Sequence, residues 1–248
     1  MLEKNQAALK IQGFFASYSI KKQTALHQAI ANSPNSQLLQ ALHLRLQCMR
    51  AVAAAKFPLN KPLEDQEQIV RVINAVTTLA EEKGISNLAA VAQIFQHNIL
   101  LSTMVQVPYY DIIWRKSHYG ERDIQTLINH AYTQLHHLVL SFNLPIDCLH
   151  EKECYTPEEV LALARDIIQY ASKTMIEILA NPTRQELHAV SQAEFAAIIE
   201  EMLTNYMTPT TVAHSKGTIH LLAQLSMGAP LSAIGPLQKK CPNIDMNN

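Results

Sequence analysis

Glycine is the first thing this chain lacks. Only 6 of its 248 residues are Gly, against 11 Pro, where about 7% would be ordinary. Tight β-turns, Greek keys and phosphate-cradling loops all consume glycine. The composition therefore speaks against a sandwich, a barrel or a nucleotide-binding α/β fold, and for an all-α chain. An excess of either charge is also missing: Lys+Arg number 20 and Asp+Glu 21, a net charge of -1. Without a basic excess, nucleic acid is not an expected partner. Charged residues reach 17% and hydrophobic ones 48%, and this much apolar surface can offset the entropy lost on folding, which excludes disorder of the whole chain.

Cysteine is scarce as well. Cys48, Cys148, Cys154 and Cys241 include no CxxC pair, so neither a zinc site nor a thioredoxin-like motif has support. Cys48 lies in a helical apolar pattern and reads as a buried thiol. Cys148 and Cys154 flank a short polar loop, and whether they bridge depends on the compartment. Histidines are scattered, and the adjacent His136-His137 pair points two ways on a helix, which makes a poor metal site. Long apolar runs are absent too. The stretch from Gly84 to Tyr110 has no Asp, Glu, Lys or Arg, yet Asn87, Gln93, Gln96, His97, Asn98, Ser102 and Gln106 interrupt it. It reads as a buried helix, with no membrane partner expected. Met1-Leu2-Glu3-Lys4-Asn5 lacks the basic-then-apolar pattern of a signal peptide. The protein is then cytoplasmic, or its signal has been removed.

What is present is helical spacing punctuated by Pro and Gly. Helices are expected over about 6–32, 37–57, 64–84 and 87–106, the last breaking near Pro108. Another is expected from Gly120 to about Phe142. Thr156-Pro157-Glu158-Glu159 and Ser191-Gln192-Ala193-Glu194 have the spacing of capping boxes, opening helices of about 157–181 and 192–206. A final helix near 210–227 precedes a loosely held tail. The expected units are an N-terminal helical segment (1–35), a helical domain (36–142), a C-terminal helical region (143–230) and the tail (231–248).

Some polar residues do not fit an amphipathic pattern. Arg45 sits between Leu42, Leu46 and Met49, close to an apolar stripe. Lys56 follows eleven residues later, about three turns, so the two share a face. Ser102 and Gln106 are one turn apart within the uncharged stretch and also share a face. Two cations with hydroxyl and amide donors, all pointing into a bundle, suggest a pocket for a small anion. The alternative is that both cations snorkel while Ser102 and Gln106 bond to neighbouring helices.

The run Leu44-Arg45-Leu46-Gln47-Cys48-Met49-Arg50-Ala51-Val52-Ala53-Ala54-Ala55-Lys56 resembles the first helix of the all-helical (AroQ-type) chorismate mutases, where an Arg and a Lys eleven residues apart hold the substrate. Pro62-Leu63-Glu64-Asp65 resembles the family's Pro-Ile-Glu-Asp turn. Phe95-Gln96-His97-Asn98-Ile99, with Ser102-x-x-x-Gln106, is similar to its last helix. The likeness covers about residues 36–107 and keeps order and spacing across three helices. Trp114, followed by Arg122 seven residues before Asn129, is similar to the exported (gamma) subclass, in which a later helix of the same chain supplies a second carboxylate-binding Arg.

The resemblance implies a multi-helix bundle of the chorismate mutase type with additional C-terminal helices, converting chorismate to prephenate without a cofactor. It implies that Arg45 pairs with one carboxylate and Arg122 with the other, while Lys56 and Gln106 reach the ether oxygen from opposite sides. Asp65 would orient the ring hydroxyl, and Ser102 would assist at a carboxylate. Gln68 and Ile69 stand where the family commonly has Arg and Glu, so Gln68 binds without charge. Arg115 or Lys116 are alternatives to Arg122, and Arg122 lies between Glu121 and Asp123, as a solvated helix-start cluster would. Gln106 donates at any pH, so turnover between about pH 5 and 8 should be independent of it. Two other readings stay open: an isochorismate pyruvate-lyase, and a non-catalytic interaction protein on a decayed mutase fold. A homodimer is left open, and likeness to the exported subclass implies a periplasmic or secreted protein.

Overall fold

A computed structural model describes residues 25–33, 35–116, 121–148, 152–181 and 192–227. The fold is all-α: among the described residues every regular element is a helix. They are α1 (Ser36–Gln47), α2 (Met49–Lys56), α3 (Gln66–Glu82), α4 (Leu88–Lys116), α5 (Glu121–Ser141), α6 (Pro157–Ala180), α7 (Gln192–Thr204) and α8 (Pro209–Met227). Residues 25–32 are helical too. The expected helix before residue 25, the Ser191 capping box and the tail 231–248 lie outside the described residues.

Local chemistry sets several boundaries. Asp65 caps α3, its Oδ1 accepting from the Gln68 backbone N–H at 3.0 Å. The helix ends where Gly84 takes a positive φ of 79° and Ile85 N–H returns to the Ala80 carbonyl at 2.9 Å. Thr156 and Glu159 form a complete capping box at the start of α6, with Pro157 at its first position. α1 and α2 follow one helical path interrupted at Cys48, whose own φ and ψ of -71° and -19° remain helical.

Pro108 does not end its helix, contrary to the break expected near it. α4 continues through Pro108 to Lys116. A proline removes one backbone N–H at a cost of about 3 kcal/mol, and tertiary packing on both sides opposes that loss. Val105 and Ile113 are buried, Tyr109 packs against the core, and the Tyr110 ring meets Phe57 edge-on at 5.2 Å.

α6 lies along α1, α2 and α3, while α4 packs on α2, α3 and α8. α5 contacts α2 and α6, and α7 pairs with α8. The later helices thus share one apolar core with the earlier ones, with Leu39, Phe95, Tyr132 and Phe195 among its fully buried side chains. The stretch Leu88–Tyr110 is long and apolar enough to cross a membrane by length and composition, and here Ile94, Phe95 and Leu101 bury one side of it. Cys148 and Cys154 are free thiols.

Candidate functional site

α1 buries Arg45, which is 4% exposed, within its apolar stripe. Its guanidinium Nη1 donates to Ser172 Oγ on α6 at 2.9 Å, and the Ser172 hydroxyl in turn donates a hydrogen bond to the Ile168 carbonyl at 2.7 Å. Among the described residues, Arg45 Nε has no acceptor. Burial pushes the Arg45 pKa down to about 10, with Cys48 opposing weakly, so the group is charged at neutral pH. The same burial pushes the Cys48 thiol up to about 12, which makes it unreactive.

α4 presents Asn98, Ser102 and Gln106 at four-residue intervals on one buried face. Ser102 Oγ donates to the Asn98 carbonyl at 2.8 Å. Gln106 Nε2 donates to the Ser102 carbonyl at 3.3 Å and to Met49 Sδ at 3.4 Å. Asn98 Nδ2 donates to Met175 Sδ at 3.6 Å. Among the described residues, the carbonyl oxygens of both carboxamides, Asn98 Oδ1 and Gln106 Oε1, have no donor. Met49 lies one turn beyond Arg45, and Met175 one turn beyond Ser172. Three helical segments therefore meet along a buried polar seam: α1–α2 through Arg45 and Met49, α4 through its three polar side chains, and α6 through Ser172 and Met175.

A second group gathers at the far end of α2. Lys56 is half-buried, and its Nζ donates to the Leu63 carbonyl at 2.8 Å. Burial lowers its pKa most, Asp65 raises it, and Arg165 and Lys61 lower it further. Asp65 and Gln68 are half-buried in the first turn of α3. Arg165, exposed on α6, stands two turns before Ser172 on the same helix face. α6 thus runs antiparallel to α1–α2, with Ser172 on Arg45 and Arg165 towards Lys56.

Of the residues expected from sequence, the structure brings Arg45, Ser102 and Gln106 into the seam, and Lys56, Asp65 and Gln68 into the adjoining group. The side chain of Arg122, in the first turn of α5, lies outside the described residues. Sequence reasoning missed Asn98, Arg165, Ser172 and Met175. Asn98 was in view as an interruption of an apolar stretch and within the run resembling the family's last helix, without a role of its own. For the α6 residues, a possible signal was the seven-residue Arg165-to-Ser172 spacing in a firmly capped helix. Among the described residues, no three or more of His, Cys, Asp and Glu are grouped to hold a metal ion.

Residues 30–107 match the family model for chorismate mutase type II. No curated protein and no solved structure matches the chain. The matched segment contains Arg45, Lys56, Asp65, Gln68, Asn98, Ser102 and Gln106. It ends before α5, so the contributions of α6 to the seam come from beyond it.

Proposed function

We propose that the chain is a chorismate mutase, converting chorismate to prephenate within a single-chain site. The observation that supports this best is the buried Arg45 cation beside two carboxamides with unused hydrogen-bonding capacity, all inside the matched segment. Among the described residues, no carboxylate forms an ion pair with Arg45, so the charge calls for an anion from elsewhere.

The reaction is a unimolecular pericyclic rearrangement. The ether C–O bond breaks as a C–C bond forms, with no nucleophile and no proton transferred. Catalysis then consists of holding the enolpyruvyl arm over the ring and stabilising negative charge that builds on the ether oxygen. Arg45 takes one carboxylate through its fork of N–H donors, with Ser102 beside it. The hydroxyl and thioether acceptors now on Arg45 and Gln106 are neutral, and sulfur is a weak acceptor; a dianion displaces them readily. Gln106 turns its amide N–H to the ether oxygen, and Lys56 approaches that atom as a cation. Gln68 contributes a neutral hydrogen bond. Arg165 supplies the second carboxylate contact from α6, with Arg122 as the alternative from α5. A cation from a later helix of the same chain is the arrangement of the exported subclass, and export is part of this proposal; cell fractionation tests it.

The test is incubation with chorismate, following its loss by ultraviolet absorbance and identifying prephenate. Arg45→Ala and Lys56→Ala should each abolish turnover. A wild-type chain with no rearrangement above background would sink the enzyme reading and leave an interaction protein. Salicylate and pyruvate from isochorismate would reassign it as a lyase.

A further inference from the structure

We infer that Ser172 sets the affinity of the site: it occupies Arg45 while the site is empty, and the incoming dianion has to displace it, an inference that rests on the mutase reading. Arg45 Nη1 donates to Ser172 Oγ at 2.9 Å, across 127 residues of chain. Both side chains are buried. Ser172 lies on α6, beyond the matched segment, so a later helix of this chain supplies the contact.

The hydroxyl has one proton, and it is donated to the Ile168 carbonyl at 2.7 Å. Towards Arg45 the oxygen therefore presents only lone pairs. Lone pairs suit a guanidinium and repel a carboxylate, so Ser172 in this orientation is a rival of the substrate and not a further donor to it. Among the described residues this is also the shortest hydrogen bond that Arg45, Asn98 or Gln106 donates from its side chain, the others being 3.3 Å or longer. It is charge-assisted, whereas two of those others end on sulfur, a weak acceptor. An interaction made only in the empty protein lowers the affinity for the ligand by its own worth. A hydrogen bond to a charged group is worth roughly ten- to a hundredfold in an equilibrium. Removing the Ser172 hydroxyl should then tighten binding while loosening the fold. A residue that only braced the bundle, or that held Arg45 in place for the carboxylate, would lose stability and affinity together.

The experiment measures chorismate kinetics, the Kd of a non-rearranging dicarboxylate ether and the melting temperature for the wild-type chain, Ser172→Ala, Ser172→Cys and Ser172→Asp. In Ser172→Ala the Ile168 carbonyl keeps the backbone bond of its helix, so only Arg45 loses a partner. Its KM and Kd should fall about tenfold or more with kcat unchanged, while it melts below wild type. Ser172→Cys keeps the shape of the side chain but offers a weak acceptor. It should shift binding the same way by a smaller factor, and it reads the effect should Ser172→Ala fail to fold. Ser172→Asp puts a carboxylate on the cation and should raise both constants at least about tenfold. Unchanged binding in both Ser172→Ala and Ser172→Cys overturns the inference. So does weaker binding in either, which would mean that Ser172 turns its proton to the substrate or holds Arg45 for it. Tighter binding in Ser172→Asp overturns it as well. A wild-type chain that rearranges no chorismate removes the mutase reading and this inference together, whereas a shift of the wrong sign in an active enzyme overturns this inference alone.

Discussion

Arg45→Met should give a protein that is more stable and catalytically dead. The guanidinium is fully buried, and burial pushes its pKa from 12.5 to about 10. At about 1.4 kcal/mol per tenfold change in proton affinity, holding this charge costs the fold roughly 3 kcal/mol. The sign follows from linkage. Below about pH 10 both the folded and unfolded chains carry the proton, so the whole penalty is present at neutral pH. It is relieved only as the native state loses the proton above that value. Methionine fills similar space without charge, and Ser172 is not orphaned, since its hydroxyl still donates to the Ile168 carbonyl. Replacing a buried charge by an apolar residue of similar volume is stabilising by about 1–4 kcal/mol in comparable cases.

For a chain of this size each kcal/mol is worth about 2–4 °C in melting temperature. Scanning calorimetry at pH 7 should therefore place Arg45→Met several degrees above wild type. Its kcat/KM for chorismate should be lower by at least about a thousandfold, through loss of a charged, desolvated donor. A non-reacting dicarboxylate analogue should raise the melting temperature of wild type and leave that of the variant unmoved. A variant that melts well below wild type would refute the reasoning, because Arg45 would then be held for its structural contacts and not for an anion.

Gln106 and His43 carry further tests. Wild-type turnover should vary little between about pH 5 and 8 on account of Gln106, since an amide donates throughout. Gln106→Glu must be protonated to donate, so its activity should rise about tenfold or more from pH 8 to 5; a steep wild-type dependence that vanishes in Gln106→Ala contradicts the assignment. His43 is buried beside His27 and shares a 3.3 Å hydrogen bond with the Tyr206 hydroxyl, and burial first, then His27, lowers its pKa from 6.5 to about 4. Its folded-state pKa is depressed, so the unfolded chain binds the extra proton first, and roughly 3 kcal/mol of stability should drain away between pH 6.5 and 4. Urea unfolding across that range should show a much shallower loss in His43→Gln, and an unchanged slope would exclude His43 as the cause.

The parts of this molecule legible from sequence are those decided within a few turns of helix. Asp65 and Thr156 announce α3 and α6 because capping is local, and Arg45, Ser102 and Gln106 stand out because a polar group at apolar spacing betrays itself. Local reasoning failed at Pro108, where the missing hydrogen bond was read as a terminus and packing by Tyr109, Tyr110 and Ile113 carried the helix through. It failed differently at Ser172, which is 127 residues from Arg45. No periodicity within α6 says which of its faces will lie on α1. Until that docking is known, Arg165, Ser172 and Met175 are ordinary members of an amphipathic helix, and Asn98 is one polar residue in an uncharged stretch.

The docking also gives those residues a common meaning. A seam of this kind would be a poor way to stabilise a bundle: among the described residues it buries a cation without a carboxylate and leaves two carboxamide oxygens without donors. Each feature alone is a modest defect, of the sort native cores contain. Together they favour a ligand that carries negative charge for Arg45 and an acceptor for the Gln106 N–H. Arg45 would gain a counter-ion, and Gln106 would exchange its weak thioether acceptor for the ether oxygen, in a single binding event. Under the proposed mutase reading, chorismate brings both the carboxylates and the ether oxygen, so the uncompensated charge of the seam and the demands of that reaction are met by one ligand.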